Sequence, residues 1–317
     1  MKLRALGLAA CSALLLVTAC EQQNSSTPAV AKNEAAQYAL QNTKHFCGEN
    51  AYYHCSELCK LGPRPSGSAA YEQQLRYLSQ HLEQAGWSVS RHPFAAPNGT
   101  SMTNLHAHFG SAPASSTRPI LLSCHIDTKM GIGPDFIGAD DGASAAAVLL
   151  ETARILSAQP EIAAQVELVF FDGEEAFGTH MTEEDGLYGS GFDAARRGSN
   201  LPLYQINLDM VGAKNKHIGV PFHDTAPELL SLFEESVDTL RLNPRRWEII
   251  DASYLDDNIP FKEAGVSTLN IIAQFTNSTW WHTPRDNMSR ICPQSLQESG
   301  ILTLHILRQL AKLCPAR

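Results

Sequence analysis

Two adjacent carboxylates, Glu174 and Glu175, follow an apolar segment, Val166 to Phe171, that has the length and composition of a buried β-strand. In α/β proteins, functional groups collect at the carboxyl ends of the strands. Neighbouring glutamates at such a position can divide the chemistry, because one carboxylate can bind a metal ion while the other transfers a proton. The pair therefore predicts a site that combines a Lewis acid with an acid–base group.

Four further segments place an acid or a histidine after an apolar run. His125 and Asp127 stand two residues apart at a strand end, so their side chains face the same way and the carboxylate can orient the imidazole. The acid pair of residues 140–141 precedes a predicted helix, where a turn or cap is the alternative role of its first member. Asp209 interrupts an apolar strand, and His282 follows two tryptophans. We expect all of these groups to meet at one edge of a sheet.

The elements that must position these groups alternate along the chain. Helical spacing from Ala69 to Ala85 predicts the helix that opens the domain. Strands alternating with helices predict an α/β fold, a three-layer sandwich whose mixed, mostly parallel central sheet is flanked by helices. The other predicted helices are Ala143–Ser157, Pro227–Leu240 and Gln294–Leu313, and the predicted strands are Trp87–His92, Thr103–Phe109, Ile120–Ser123, Val166–Phe171, Tyr204–Leu208 and Ser267–Ile272.

The N-terminal residues 1–19 have the basic start and short apolar run of an export signal. Residues 16–20, Leu-Val-Thr-Ala-Cys, resemble a bacterial lipoprotein cleavage box, which implies a lipid on Cys20; cleavage without lipid is the alternative. Residues 20–43 form the lipidated N-terminus and a flexible tether, and residues 44–317 form a single catalytic domain. We expect a membrane-anchored protein of the bacterial cell envelope that faces the periplasm. Glu21 after the lipidated cysteine favours the outer membrane.

Charge argues against nucleic acid as a partner. The chain has 24 Lys and Arg against 33 Asp and Glu, and its basic residues are scattered without a cluster. Nothing in the sequence determines the oligomeric state.

Export would place the cysteines in an oxidising compartment, where disulfides can form. The cysteines after Cys20 form an even set compatible with disulfides: Cys47, Cys55, Cys59, Cys124, Cys292 and Cys314. Cys292 could pair with Cys314 to fasten the C-terminal helix, and Cys47 could pair with Cys55 or Cys59. The spacing leaves the connectivity open.

The order of the motifs resembles that of the animal-type glutaminyl-peptide cyclotransferases, which share a fold with the zinc aminopeptidases. The acid pair before Ile259-Pro260-Phe261 and the Trp-His-Thr box are specific to the cyclotransferases, whereas the other motifs are common to both groups. The matching segments are His125–Lys129, Gly138–Asp141, Phe170–Phe177, Leu187–Ser190, Leu208–Asp209, Asp256–Phe261, Trp281–Thr283 and Asp286–Asn287.

The resemblance implies a reaction in which an N-terminal glutamine of a peptide or protein becomes pyroglutamate with release of ammonia. By the resemblance, Asp141, Glu175 and His282 hold one Zn²⁺ ion. Glu174 acts as the general acid/base between the attacking amine and the leaving nitrogen.

The remaining assignments by resemblance concern the substrate. Asp256 and Asp209 would form an acid pair near the substrate amine, and Trp281, Leu255 and Phe275 would line the glutamine pocket. The chain departs from the animal pattern at Leu255, where a glutamine is usual. It also departs at Asn258, where a histidine is usual, and over residues 177–180, where a pocket tryptophan is missing.

A two-metal zinc aminopeptidase is the alternative function. His125 and Asp209 would complete a second metal site, and Asp141 would bridge it to the first ion. Since every ligand for both sites is present, ligand identity does not separate the two functions. The acid pair and the indole specific to the cyclotransferases favour cyclisation. A non-catalytic binding scaffold is a third interpretation, which the intact ligands and base disfavour because buried acids without a use are costly.

Overall fold

The computed structural model describes residues 45–110, 119–215, 217–276 and 278–314. The predicted export signal, lipid site and tether lie outside the described residues. Among the described residues, no helix combines the length and the apolar character needed to cross a bilayer.

One eight-stranded sheet has the order β1-β2-β4-β3-β5-β8-β6-β7. The strands β4, β3, β5 and β8 run parallel at its centre, whereas β1, β2 and β6 each pair antiparallel with a neighbour. This is the mixed sheet with a parallel centre that the sequence predicts. The strands are β1 Trp87–Ala95, β2 Ser101–Phe109, β3 Ile120–His125, β4 Val166–Phe171, β5 Tyr204–Asp209, β6 Ile218–Pro221, β7 Trp247–Ile250 and β8 Ser267–Ala273.

Helices cover both faces of the sheet. They are α1 Gly48–Cys59, α2 Ala69–Gln84, α3 Ala143–Leu156, α4 Pro160–Ala163, α5 Tyr188–Arg197, α6 Pro227–Thr239, α7 Ile259–Glu263 and α8 Pro293–Leu313, with a 3₁₀ turn at Phe222–Asp224. Side chains alternate along β4, so that Val166, Leu168 and Phe170 enter the larger core while Val169 and Phe171 enter the smaller one. The larger core contains α1, α2, α3, α6 and α8, and the smaller core contains α5 and α7. The result is the predicted three-layer sandwich.

The predicted strands and helices are confirmed with shifts of a few residues at their ends. One prediction about order is wrong, because α1 (Gly48–Cys59) precedes the helix that was expected to open the domain. The sequence of α1 contains Gly, Asn, Tyr, His and Cys, which are weak helix formers. Its contacts with α3 and α8 supply the stability that its own sequence lacks.

The predicted disulfide pairings are also wrong, because all six cysteines among the described residues are free thiols. Cys292 and Cys314 flank the 21-residue helix α8 at opposite ends. That helix is about 30 Å long, whereas a disulfide joins Cα atoms less than about 7 Å apart. Cys47 caps the start of α1, and Cys55 lies roughly 12 Å further along the same helix.

Candidate active site

The predicted site residues converge where the central parallel strands end. β3 ends at His125, β5 ends at Asp209, and the Glu174–Glu175 pair follows β4. These strands are neighbours, so their carboxyl ends meet at one edge of the sheet. A cavity of about 290 Å³ opens there. Its lining includes Lys129, Asp141, Glu174, Glu175, His180, Asp209, Tyr254, Leu255, Asp256, Phe275, Trp281 and His282.

Asp141, Glu175 and His282 form one group able to hold a metal ion, with ligand atoms within 4.8 Å of one another. Nε2 of His282 lies 3.2 Å from Oε1 of Glu175 and 3.5 Å from Oδ2 of Asp141. That Asp141 oxygen is buried and accepts no hydrogen bond from the described residues, which is expected of a ligand atom reserved for a cation. One imidazole nitrogen and two carboxylates are a donor set that suits zinc and leaves a fourth position open.

A second group shares Asp141 with the first and adds His125 and Asp209. Nε2 of His125 lies 3.2 Å from Oδ1 of each of these two aspartates. Burial opposes protonation of His125, but the surrounding carboxylates outweigh burial and raise its pKa well above the usual value. Without a metal ion, a proton on this imidazole therefore balances the acids.

Asp127 supports both groups from behind. It was predicted to orient His125, and its Oδ1 lies 3.6 Å from Nδ1 of that imidazole. Its two carboxylate oxygens also accept hydrogen bonds from the backbone N–H groups of Glu174 at 3.2 Å and Glu175 at 3.3 Å. This second role, which holds the turn carrying both glutamates, could not be predicted from the His-x-Asp motif.

The carboxyl group of Glu174 has the environment of a general acid. Burial raises its pKa well above the usual value, and the negative charges of Glu175 and Asp256 add to the effect against the opposing charge of His125. A carboxyl group with a raised pKa binds a proton more readily than a free carboxylate and can pass that proton to a leaving group.

Asp256 is fixed at the base of the cavity. Its Oδ1 accepts hydrogen bonds from Nδ2 of Asn207 at 2.9 Å and from the N–H of Asp257 at 2.6 Å, and its Oδ2 accepts one from Nδ2 of Asn270 at 2.8 Å. Sequence analysis missed both asparagines, although buried amides inside β5 and β8 are polar groups that require partners.

Asp209 and Asp256 are coupled through charge. Burial raises the pKa of Asp209 to about 7, with contributions from Asp256 and Asp141 that His125 opposes. No hydrogen bond between Asp209 and Asp256 is present among the described residues. Together they give the cavity one acidic wall, suited to a cationic group such as a peptide amine.

Aromatic rings form the opposite wall. The indole of Trp281 stacks on the imidazole of His282 with 3.9 Å between ring centroids and 25° between planes. Phe275 contacts Trp281 at 4.6 Å, and Tyr254, which sequence analysis did not select, extends the row at 5.0 Å. Leu255 is 42% exposed at the rim. His282 has a φ of 51°, a left-handed conformation that is uncommon for non-glycine residues.

Besides Leu255, the chain departs from the animal pattern at residues 177–180 and at Asn258, and these two departures lie in different surroundings. His180 is exposed and lines the cavity, so the segment of residues 177–180 still contributes to the site. Asn258 is buried and donates a hydrogen bond from Nδ2 to the carbonyl of Asp224 at 3.3 Å. Asn258 therefore supports the fold beside Asp256 and does not line the cavity.

Asp286 holds the loop that carries Asp141. Its carboxylate accepts hydrogen bonds from the N–H groups of Asp140 at 2.9 Å and Asp141 at 3.1 Å. Asp140 has a supporting role, because its Oδ1 accepts a hydrogen bond from the N–H of Gly212 at 2.8 Å while Gly142 caps α3. Asp286 stands four residues after His282, so it links two segments whose side chains belong to the group able to hold a metal ion.

Comparisons with known proteins agree with this geometry. A model of peptidase family M28 matches residues 104–307. The glutaminyl-peptide cyclotransferase of Drosophila melanogaster is 30% identical over 262 residues, which cover 73% of this chain and 72% of the fly protein. Two solved structures share the fold. A glutaminyl cyclase from Porphyromonas gingivalis is 29% identical with a TM-score of 0.74, over 84% of this chain and 99% of that one. A Zn-dependent exopeptidase from Parabacteroides distasonis is 25% identical with a TM-score of 0.73, over 84% of this chain and 99% of that one. The chain belongs to peptidase family M28 and to the glutaminyl-peptide cyclotransferases that its motifs resemble.

Proposed function

We propose that this protein is a glutaminyl-peptide cyclotransferase that converts N-terminal glutamine to pyroglutamate and releases ammonia. One observation carries the proposal: Asp256 lies in the same cavity as the Asp141–Glu175–His282 group, at a position suited to bind a substrate amine. Relatives that carry this activity in their names add support.

We propose that Asp141, Glu175 and His282 hold one zinc ion. Three protein ligands would leave its fourth coordination position open for the substrate. When bound, zinc polarises the side-chain amide carbonyl of the substrate glutamine and stabilises negative charge on its oxygen. His125 and Asp209, whose nearest side-chain atoms lie 3.2 Å apart, would pair with each other and would not bind a second ion.

The protein's own residues would fold the substrate and move its protons. The α-amine nitrogen attacks the amide carbon, a five-membered ring closes, and the bond from that carbon to the amide nitrogen breaks. Asp256 and Asp209 would hold the amine, while Glu174 would take its proton and pass it to the departing ammonia. Trp281 and Phe275 would enclose the glutamine side chain, with Leu255 at the rim of the cavity, so that much of the catalysis comes from holding the reacting atoms together.

Substitution of Asp256 by Asn tests the observation that carries the proposal. We expect ammonia release from a Gln-initiated peptide to fall about 10²-fold, because the amine loses its anionic partner, while the zinc content stays unchanged. Asp251→Asn is the matched control, because Asp251 is exposed and pairs with His223. Unchanged ammonia release in the Asp256 variant would refute the assignment.

A two-metal aminopeptidase remains the second candidate because of one observation: the ligand atoms of His125, Asp141 and Asp209 also lie within 4.8 Å of one another. The number of bound zinc ions separates the two functions. Native mass spectrometry at saturating zinc should give one ion per chain for the cyclotransferase, and two ions would favour the aminopeptidase.

We also propose that residues 1–19 are removed on export and that a lipid on Cys20 anchors the protein in the cell envelope, with its domain facing the periplasm. The motif at residues 16–20 supports this proposal. Cys20→Ser should move the protein from the membrane fraction to the soluble periplasmic fraction. Retention of the variant in the membrane fraction would contradict a lipid anchor.

A further inference from the structure

Arg64 is a fully buried cation whose guanidinium donates hydrogen bonds only to backbone carbonyls. Its exposed fraction is 0%, and it stands between α1 and α2. The guanidinium donates to the carbonyls of Gly62 at 2.9 Å, Ile137 at 2.8 Å and Gly138 at 3.1 Å. Among the described residues, no carboxylate is hydrogen-bonded to it, and its Nε has no partner. A buried cation in this state is costly, so a role beyond packing is expected.

The carbonyls that Arg64 holds belong to the loop that carries the metal ligand Asp141. Asp286 binds the N–H groups of this loop at Asp140 and Asp141, while Arg64 binds its carbonyls at Ile137 and Gly138. A cation on the carbonyls and an anion on the N–H groups fix the loop from two sides. The carbonyl of Ala139, between these contacts, accepts a hydrogen bond from the thiol of Cys55 at 3.2 Å.

The loop has little freedom to adopt another path. Gly138 has a φ of 50°, and a Cβ atom there would lie 2.5 Å from the carbonyl oxygen of Asp141 and 2.8 Å from Cγ2 of Thr128. The planar guanidinium of Arg64 therefore fixes a tight turn by donating from its two terminal nitrogens to the carbonyls of Ile137 and Gly138. A lysine ammonium does not reproduce this two-nitrogen contact.

The backbone of Arg64 is tied to a second part of the site. Its N–H donates to Oγ1 of Thr128 at 2.8 Å, and its carbonyl accepts from the N–H of Thr128 at 3.2 Å. Thr128 directly follows Asp127, which holds the turn of Glu174 and Glu175. Arg64 thus joins the segment after β3 to the loop of Asp141.

From these contacts we propose that Arg64 is a positioning residue that sets the geometry of the metal-binding group through the Asp141 loop. The inference rests on the proposed metal group and not on the identity of the reaction. Supporting residues of this kind typically change metal affinity 10- to 100-fold when they are altered. Among the described residues, Arg64 does not line the cavity, and its guanidinium bonds go to none of the three proposed ligand side chains.

Arg64→Lys tests this role, with Arg197→Lys as the matched control. The side chain of Arg197 is also largely covered, with 7% exposed, but it lies in α5 and pairs with Glu167 at 3.0 Å and Asp193 at 2.8 Å, away from the Asp141 loop. The measurement is the zinc dissociation constant, from competition with a chromophoric chelator, beside the melting temperature of the metal-free protein. We expect both variants to lose thermal stability, but only Arg64→Lys to bind zinc about 10- to 100-fold more weakly.

Equal zinc affinity in the two variants would overturn the proposal, whether both match the wild type or both weaken alike. If Arg64→Lys does not fold, Thr128→Val decides, because it removes only the Oγ1 acceptor of the Arg64 N–H. We expect zinc binding about 10-fold weaker in this variant, at the lower end of supporting-residue effects. Unchanged affinity in Thr128→Val would refute the link. Because zinc affinity is measured without substrate, failure here differs from failure of the proposed reaction.

Discussion

At the scale of single residues, the chemistry depends on the difference between two neighbouring glutamates. Glu175 pairs with His282 at 3.2 Å and belongs to the metal-binding group, whereas Glu174 lies outside that group in the same cavity. Burial raises the pKa of Glu174 well above its usual value, so its carboxyl group can both hold and release a proton near neutrality.

Glu174→Gln should therefore separate catalysis from metal binding. We expect kcat for ammonia release to fall about 10²- to 10⁴-fold, the usual contribution of a general acid/base, because an amide cannot carry the proton. The zinc content should stay at the wild-type value. Exposed Glu161→Gln is the control and should leave both quantities unchanged. Activity that survives in the Glu174 variant would remove this residue from the mechanism.

Leu255 gives a prediction about the peptide beyond its first residue. It is 42% exposed at the rim of the cavity, beside the wall formed by Tyr254, Phe275 and Trp281. Leu255→Gln should raise KM about threefold to tenfold for Gln-Phe peptides, because it removes apolar contact area, and should leave Gln-Gly peptides unchanged. Exposed Leu203→Gln, outside the cavity, is the control. Equal effects on both peptides would contradict a role in selection.

Most of the residues that the site brings together could be predicted from their position after apolar runs, supplemented by the resemblance. Their supports could not be predicted in the same way. Asp127 binds backbone N–H groups about 47 residues away, and Arg64 binds carbonyls more than 70 residues away. Such contacts depend on how loops meet in three dimensions, which a single sequence does not reveal. Asn207 and Asn270 were the available sign of such contacts in the sequence, because an amide inside an apolar strand requires a hydrogen-bond partner.

At the scale of elements, strand alternation and helical spacing were sufficient to predict the long strands and helices. β6 and β7 have four residues each, too few for a periodic pattern. The N-cap residue of α5, Leu187, has a left-handed φ of 54°. These elements, like α1, are stabilised by packing against longer neighbours, so local sequence did not predict them.

The helices also determine the state of the cysteines. Since α8 separates Cys292 from Cys314 and α1 separates Cys47 from Cys55, the domain should contain only free thiols. Titration of the denatured domain with a thiol reagent should give the same number with and without prior reduction. A lower number without reduction would indicate a disulfide and an altered helix packing.

At the scale of the whole molecule, the half-buried His54 links stability to pH. Burial, with neighbouring His81, lowers the pKa of His54 to about 3, and Tyr77 bonds its Nδ1 at 2.7 Å. Between pH 6.5 and about 3 the unfolded chain binds a proton at this group that the folded chain does not, so stability falls as the pH falls through this window.

His54→Asn should flatten this part of the pH dependence. From pH 6.5 to pH 5, the wild type should lose at most about 2 kcal/mol of unfolding free energy through His54, less whatever partial exposure screens. Denaturant titrations at the two pH values measure the difference. Exposed His45→Asn is the control and should behave like the wild type. A variant with the full wild-type pH dependence would exclude His54 as its source.

The same sheet edge brings together a group able to hold a metal ion, a buried glutamate suited to proton transfer and an acid–aromatic cavity, and we propose that together they cyclise N-terminal glutamine. Mass spectrometry of a Gln-initiated peptide, after incubation with the purified protein and zinc, is the decisive test of this reaction. We expect loss of one ammonia per peptide, abolished by a chelator and absent from a matched peptide that begins with leucine. Release of a free N-terminal residue from either peptide would contradict this expectation and identify an aminopeptidase.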